Sequence, residues 1–284
     1  MIRFPVIRPN VTNNNFLLFG DRPYACYNKL TSPDLSRKVG FLTENTFFFI
    51  MQGTKVFYFK DHEVKVDATK GILLKKGIYT MSEFVTESQC FEALMIFVPD
   101  QFLQHFRQRW PKIVNTGAPA EPYATIINDE LLRSYRVQYL AYFSKTIDGL
   151  EEILQLKLKE LFLLLLASAN KNAVGSFIEN LVTSGPVDID YILKSHLLKQ
   201  LTIAEIADLS GRSLASFKRD FRERYNMAPK QWINKQRLDH AFRELQNSKK
   251  QIAEVCYDCG FDSPSHFIKI FKKQFGITPN KLRA

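Results

Sequence analysis

The chain writes one short sentence twice. Ile203-Ala204-Glu205-Ile206-Ala207 returns 49 residues later as Ile252-Ala253-Glu254-Val255-Cys256. After one inserted residue the offset is 50, and Phe217, Phe221, Tyr225 and Pro229 return as Phe267, Phe271, Phe275 and Pro279. Each copy reads as a helix, a turn holding Gly211 or Gly260, and a longer helix. Ala204 and Ala207, like Ala253 and Cys256, are small enough for a second helix to cross closely. Phe217 and Phe221 are spaced i, i+4, as are Phe267 and Phe271, so each pair shares a face and anchors the longer helix to a core. Ser213 and Ser263 stand where an N-cap belongs. Pro264 then falls at N1, where its missing N–H is no loss and its fixed φ suits a helix.

Two helices across a short turn, the second aligned by apolar anchors, form a helix-turn-helix, whose second helix offers its outer N-terminal residues to the DNA major groove. With the phenylalanines inward, the outward residues of the first copy are Leu214, Ala215, Lys218, Arg219 and Arg222. Those of the second are Ser265, His266, Ile268, Lys269, Lys272 and Lys273. Lysine and arginine donate to guanine O6 and N7, serine and histidine pair with base edges or phosphates, and Ile268 suits a thymine methyl. Any one of these residues also fits an ordinary solvated helix face; two matched motifs fit that reading far less well. Pro229 to Leu245 reads as one connecting helix of roughly 15 residues, a little over ~20 Å long. That is compatible with two reading helices about one DNA turn apart, ~34 Å, with some bending of the duplex.

Charge agrees with a polyanion partner. The net charge is +10, of which +7 falls from Pro186 onward (18 Lys and Arg against 11 Asp and Glu) and +3 in the first 185 residues. At 284 residues the chain is long enough for two domains. Residues 1 to about 110 read as short strands: Phe47–Met51, Lys55–Lys60, the alternating Glu63–Asp67, Gly71–Leu74 and Phe91–Val98, with Pro99 closing the series. Turns about every ten residues suggest a small antiparallel barrel or jelly roll. From about Tyr123 the period becomes helical, through Ile126, Ile127, Leu131, Leu132, Tyr135, Tyr139 and Leu140. A second helix follows from Leu150 to about Ala169, with Leu150, Ile153, Leu154, Leu158, Leu161 and Leu165 on one face. That face fits either the barrel of its own chain or a dimer seam. Thr183 to Asp188 reads as a linker.

Other chemistries find little support. Cys256-Tyr257-Asp258-Cys259 lacks the second ligand pair of a zinc site, and Cys26 and Cys90 stand alone. His62 and His105 are far apart, with no HxH pair for a metal-dependent barrel enzyme. No nucleophile–base pair or glycine-rich phosphate loop is present. The apolar run Leu161 to Ala169 is about half a membrane span. The N-terminal stretch has no apolar core of a signal peptide, and cysteine usage suits a reduced, cytoplasmic setting.

Residues 191 to 284 resemble the C-terminal domain of the AraC/XylS family of bacterial transcription regulators. The resemblance rests on the Ala204–Ala207 helix, Gly211, Ser213 to Phe221, Arg237-Leu238-Asp239-His240-Ala241 with Leu245, and Ile252 to Val255. It is closest over Gly260 to Ser263, Ser265-His266-Phe267, Phe271 to Gly276, and Thr278-Pro279 with Arg283. Ala215 is smaller than the residue usual there, Lys269 replaces a common arginine, and Cys256 stands for a usual alanine. The first 185 residues are more loosely similar to the cupin-like regulatory half of such proteins and its dimerising helices. The resemblance implies an α+β chain: a cupin-like β-barrel with dimerisation helices over 1–182, a linker over 183–190, and an all-α DNA-binding domain with two helix-turn-helix motifs over 191–284. It further implies a cytoplasmic, nucleoid-associated regulator, not an enzyme, that binds double-stranded promoter DNA. Such a regulator most often activates through RNA polymerase and is a homodimer through helices in 123–182, with no cofactor, metal or membrane. Control would pass through the N-terminal half, from a small molecule or a regulatory protein such as an anti-activator. Replacing Pro264 by glycine is expected to loosen the helix start, lowering the melting temperature and DNA affinity modestly; an unaltered melting curve and affinity would count against the N1 placement.

Overall fold

A computed structural model describes residues 2–5, 14–19, 22–30, 36–84, 90–110, 121–144, 147–183 and 187–283. They fall in two units, Met1–Ser184 and Gly185–Ala284. The first unit runs β1 (Ile2–Phe4), β2 (Asn14–Phe19), β3 (Arg22–Leu30), β4 (Lys38–Leu42), β5 (Asn45–Gln52), β6 (Thr54–Tyr58), β7 (Glu63–Val66), β8 (Lys70–Leu74), β9 (Gly77–Phe84) and β10 (Phe91–Val98). Helix α1 (Asp100–Arg109), strand β11 (Tyr123–Ile127) and helices α2 (Glu130–Leu140), α3 (Leu150–Ala167) and α4 (Lys171–Thr183) follow. The second unit holds α5 (Ile189–His196), α6 (Ile203–Leu209), α7 (Leu214–Tyr225), α8 (Pro229–Asn247), α9 (Ile252–Asp258), α10 (Pro264–Phe275) and α11 (Pro279–Arg283).

The strands of the first unit make two sheets, ordered β1-β4-β9-β6-β7 and β11-β8-β5-β10-β3-β2. Pairing is antiparallel except for β1 with β4, which is parallel. The Phe47–Ile50 run is wholly buried because β5 is covered on both faces. Phe48 and Ile50 join Phe57, Met81 and Phe91 in the core between the sheets. Phe47 and Phe49 point the other way, into a second core with Tyr135, Leu154, Leu158, Leu161 and Phe162. A strand buried on both sides reads as a continuous apolar run and loses its alternation. The apolar face of α3 thus packs on the sheet of its own unit, leaving Leu156, 66% exposed, on the other side. Among the described residues no helix is long and apolar enough to cross a membrane.

Two expectations are corrected. Tyr123–Ile127 is a strand, not the start of a helix: it pairs with β8 from Tyr123↔Leu74 to Ile127↔Lys70. Ala124 and Ile126 are buried and Ile127 exposed, a period of two, and Thr125, Ile126 and Ile127 are β-branched residues that suit a pleated surface. The helix starts at Glu130, where the Asp129 carboxylate accepts from the Leu132 N–H at 2.9 Å. Asn170 covers the strand's edge, accepting from the Ile127 N–H at 2.8 Å and donating to its carbonyl at 3.0 Å. Within the region expected to be all strand, Asp100–Arg109 is a helix. Asn45 donates to both the Val98 carbonyl and the Asp100 carboxylate, at 3.0 and 2.7 Å, and so fixes the corner from which it starts. The linker expected over 183–190 overlaps both neighbouring helices, because α4 includes Thr183 and α5 starts at Ile189; residues 184–186 lie outside the described residues.

One ion pair is sealed between the sheets. Lys55 and Glu83 face each other across β6 and β9, with Lys55 Nζ 2.5 Å from Glu83 Oε1 and 5.4 Å from the Phe91 ring centroid. Lys38 reaches the other carboxylate oxygen at 3.5 Å. Burial favours the neutral acid, but the two ammoniums outweigh it and hold the Glu83 carboxyl below its ordinary value. Breaking a buried pair leaves one charge unpaired, whereas replacing both partners by apolar residues removes two desolvation penalties. Glu83→Gln is therefore expected to destabilise the first unit by about 3–5 kcal/mol, and Lys55→Met with Glu83→Leu by far less. Denaturant unfolding of the three proteins checks this, and equal losses would refute it.

Candidate nucleic-acid interface

Each motif is built by the same local rules. Thr202 and Glu205 close a capping box on α6: Glu205 N–H donates to Thr202 Oγ1 at 3.2 Å, and Thr202 N–H to Glu205 Oε2 at 2.7 Å. In the second copy Gln251 N–H donates to Glu254 Oε2 at 2.7 Å. The turns pass through Gly211 and Gly260, both at positive φ, 71° and 83°. Ser213 Oγ then accepts from Ser216 N–H at 3.2 Å, and Ser263 Oγ from His266 N–H at 3.4 Å. Pro264 opens α10 in its first turn. The first capping box is legible as T-x-x-E ahead of apolar residues, a signal the repeat alone does not draw out; Gln251 lies outside that signature.

Phe217, Phe221, Phe267 and Phe271 are all fully buried. In the first motif a ring ladder runs Phe217–Phe221–Tyr225 with centroids 5.5 and 4.5 Å apart, and the Trp232 ring of α8 lies tilted 4.8 Å from Tyr225. In the second it runs Phe261–Phe267–Phe271–Phe275 at 5.2, 5.5 and 4.7 Å, with Phe242 of α8 4.7 Å from Phe275. Helix α8 thus supplies one aromatic to each motif. Its 19 residues make it about 28 Å long, longer than the expected helix ending at Leu245.

With those faces buried, Leu214, Ala215, Lys218, Arg219 and Arg222 of α7 are exposed, as are Ser265, His266, Ile268, Lys269, Lys272 and Lys273 of α10. The two sets are held differently. Arg219, 74% exposed, lies 3.3 Å from Asp220, which also accepts from Arg212 Nε at 3.1 Å. At the position matching Asp220 the second copy has Ile270. Leu214, Lys218 and Arg222 line an open cavity of about 900 Å³ together with Ala204 and Pro229. Ala204 therefore does not sit at the helix crossing: it is exposed, and only Ala207 of that pair is buried. Its counterpart Ala253 is half-buried, and Cys256 takes the place of Ala207 in the core.

Cys256, Cys259 and His62, weighed for other chemistry, are accounted for locally. Cys256 and Cys259 are unbridged and buried, and burial raises their thiols to about 11 and about 12. Cys259 Sγ lies 3.6 Å from His240 Nδ1. His62 pairs with the Tyr123 hydroxyl at 2.9 Å. Among the described residues no group of three or more His, Cys, Asp or Glu is placed to hold a metal ion.

Two family models match the chain: "ExsA N-terminal regulatory domain" over residues 45–177 and "Helix-turn-helix domain" over residues 203–284. The virulence regulon transcriptional activator VirF of Yersinia enterocolitica is 24% identical over 245 residues, 85% of this chain and 89% of the relative. The HTH-type transcriptional regulator ExsA of Pseudomonas aeruginosa is 26% identical over 222 residues, 75% and 76% of the two chains. A solved structure of ToxT from Vibrio cholerae aligns over 91% of this chain and 97% of that one, at 17% identity and a TM-score of 0.43.

His196, the last residue of α5, is half-buried with no partner for Nδ1. Burial, then the nearby Lys199 ammonium, pull its imidazole from 6.5 down to about 4. The unfolded chain binds a proton in that window and the folded one does not, so stability is full above about 6.5 and falls as pH drops toward about 4. His196→Phe is expected to flatten the slope of stability against pH between those limits. Denaturant melts at several pH values check this, and parallel slopes for the two proteins would refute it.

Proposed function

The chain belongs to the AraC/XylS family of transcription regulators, and from that premise we propose that it reads promoter DNA through α7 and α10 and activates transcription there. The observation that carries this reading is the pairing of two fully buried phenylalanine anchors with an exposed face bearing Lys218, Arg219 and Arg222 in one motif and Lys269, Lys272 and Lys273 in the other. Arg219, Lys218 and Arg222 in α7, and Lys269, Lys272 and Lys273 in α10, serve as donors to guanine edges and phosphates. Leu214, Ala215 and Ile268 supply apolar contact to thymine methyls, and Ser265 and His266 bond base edges or phosphates. The +7 charge from Pro186 onward adds a sequence-independent, salt-sensitive attraction.

The first unit, Met1–Ser184, acts as the regulatory half and the second, Gly185–Ala284, as the DNA-binding half. A homodimer forms through α2 and α3, whose Leu131, Val137 and Leu156 stand exposed opposite the buried faces of those helices. RNA polymerase is the partner in activation. VirF and ExsA, named as a transcriptional activator and a transcriptional regulator, support this reading over that of an enzyme built on the N-terminal sheets.

Selection from random duplexes with the full chain, followed by binding titrations at fixed salt, tests the reading. The selected site should bind orders of magnitude more tightly than unrelated DNA. Arg219→Ala and Lys269→Ala should each cost about 1–3 kcal/mol on that site and relax base preference at one position. Unchanged binding with both replaced would discard the contact assignment, and equal affinity for every duplex would discard the regulator.

A further inference from the structure

Arg237 lies in the middle of α8 and is only 6% exposed. A guanidinium has five donors in a rigid fork and no acceptor, so burying it demands several carbonyl or carboxylate partners at fixed angles. Arg237 finds three backbone carbonyls. Nε donates to Leu197 at 2.8 Å, Nη2 to Lys199 at 2.6 Å, and Nη1 to Gly260 at 2.7 Å. Leu197 and Lys199 belong to the segment that leads into α6, the entrance of the first motif. Gly260 is the turn of the second. One planar group on the connecting helix therefore ties the start of one motif to the turn of the other.

Two independent features press the same segments together. Gln200 Nε2 donates to the Phe261 carbonyl at 3.1 Å. Gly260, at φ +83°, leaves no room for a side chain: a Cβ there would lie 2.7 Å from the Leu198 carbonyl oxygen and 3.0 Å from Arg237 Cζ. The first motif's turn is braced otherwise, by its own Arg212 donating to Val187 O at 2.6 Å. The fork at Arg237 thus adds nothing to the inside of either helix pair; it joins the pairs.

We propose that Arg237 is a positioning residue that fixes the distance and rotation between α7 and α10, and with them the one spacing of half-sites the protein accepts. The inference rests on the reading that both helices contact DNA. Its physical basis is the scale of the duplex. One inserted base pair moves a half-site by about 3.4 Å along the axis and by about 35° around it. A joint made of one helix and flexible loops would absorb much of that; a three-bonded planar fork would not. A lysine has a single ammonium and cannot span three carbonyls in a plane.

The test uses the full chain and its selected duplex, with variants carrying one inserted or one deleted base pair between the half-sites. Wild-type protein is expected to lose tenfold or more in affinity on either altered duplex. Arg237→Met should bind the parent duplex more weakly, yet lose no more than about threefold on changing the spacing. A variant that binds more weakly but keeps the wild-type spacing penalty would overturn the proposal, because loss of core stability alone scales all duplexes together. Should Arg237→Met fail to fold by circular dichroism, Arg237→Lys, which keeps the charge but cannot bond all three carbonyls, decides. A reduced spacing penalty is expected, and an unchanged one overturns the proposal. A wild-type chain that selects no two-part site removes the DNA reading, and this inference with it. A selected site with an unaltered penalty in the variants removes only the inference.

Discussion

The second unit depends on the burial of four phenylalanines. Phe217 with Phe221, and Phe267 with Phe271, have no exposed surface, and each is worth about 1.5–3 kcal/mol relative to an exposed ring. Their energetic share matters less than their geometry. Two large residues at i, i+4 leave a helix one rotation about its axis that buries both. That rotation decides which residues are left outside, and so the exposure of Lys218, Arg219, Ile268 and Lys269 follows from the phenylalanines rather than from their own chemistry. Trp232 and Phe242 extend the ring ladders into α8, so both reading helices are held to one continuous rod.

The two copies agree inside and differ outside. Both have a capping glutamate, a glycine turn, a capping serine and the phenylalanine pair. Around these, the first copy places Arg212 in its turn, where it bonds the Val187 carbonyl and Asp220. The second places Phe261 there, buried against Phe267. Asp220, set between Arg212 and Arg219, holds a charged network on the first reading helix; Ile270 at the matching position holds none. On the proposed reading a duplicated scaffold with unlike surfaces suits two unlike half-sites, since the shared residues fix the helices and the unshared ones are left outside.

What was legible in the sequence was what is decided within one turn of helix or one strand. Ser213, Ser263, Pro264 and the phenylalanine pairs interact with residues three or four positions away, and their roles could be read from spacing. The first unit was legible where a strand shows a plain apolar run or plain alternation, as in β5 and β7. Tyr123–Ile127 reads as helical because Ile126, Ile127 and Leu131 also satisfy a helical spacing; what makes it a strand is β8, about fifty residues away. Asp100–Arg109 shows no strong period because only Leu103 and Phe106 are buried in it. The small size of Ala204 suits a crossing, but the crossing is decided by which side of α6 meets α7, and Ala204 is on the exposed side. Arg237 was visible as part of a family pattern but without a role, because its three partners are carbonyls that belong to no side chain.

The path by which the chain enters the second unit gives the two motifs an order. Val187 N–H donates to the Ser210 carbonyl at 2.9 Å, and Arg212 returns a bond to the Val187 carbonyl. Asp188 caps α5 through Oδ1 and accepts from Arg224 through Oδ2 at 3.0 Å; Asp190 pairs with Arg224 and Tyr225. Entry is therefore fastened to the turn before α7 and to the last turn of α7, the two ends of the first reading helix. The ion pairs are exposed and individually weak, but the reciprocal bonds at Val187 join backbone to a half-buried arginine. Only after α5 does the chain reach Leu197 and Lys199, where Arg237 passes the constraint to Gly260 and the second turn. A displacement applied at Val187 along the chain acts first on α7 and reaches α10 through Arg237, the Gln200–Phe261 bond and α8, so the first motif is the one such a displacement would reposition directly.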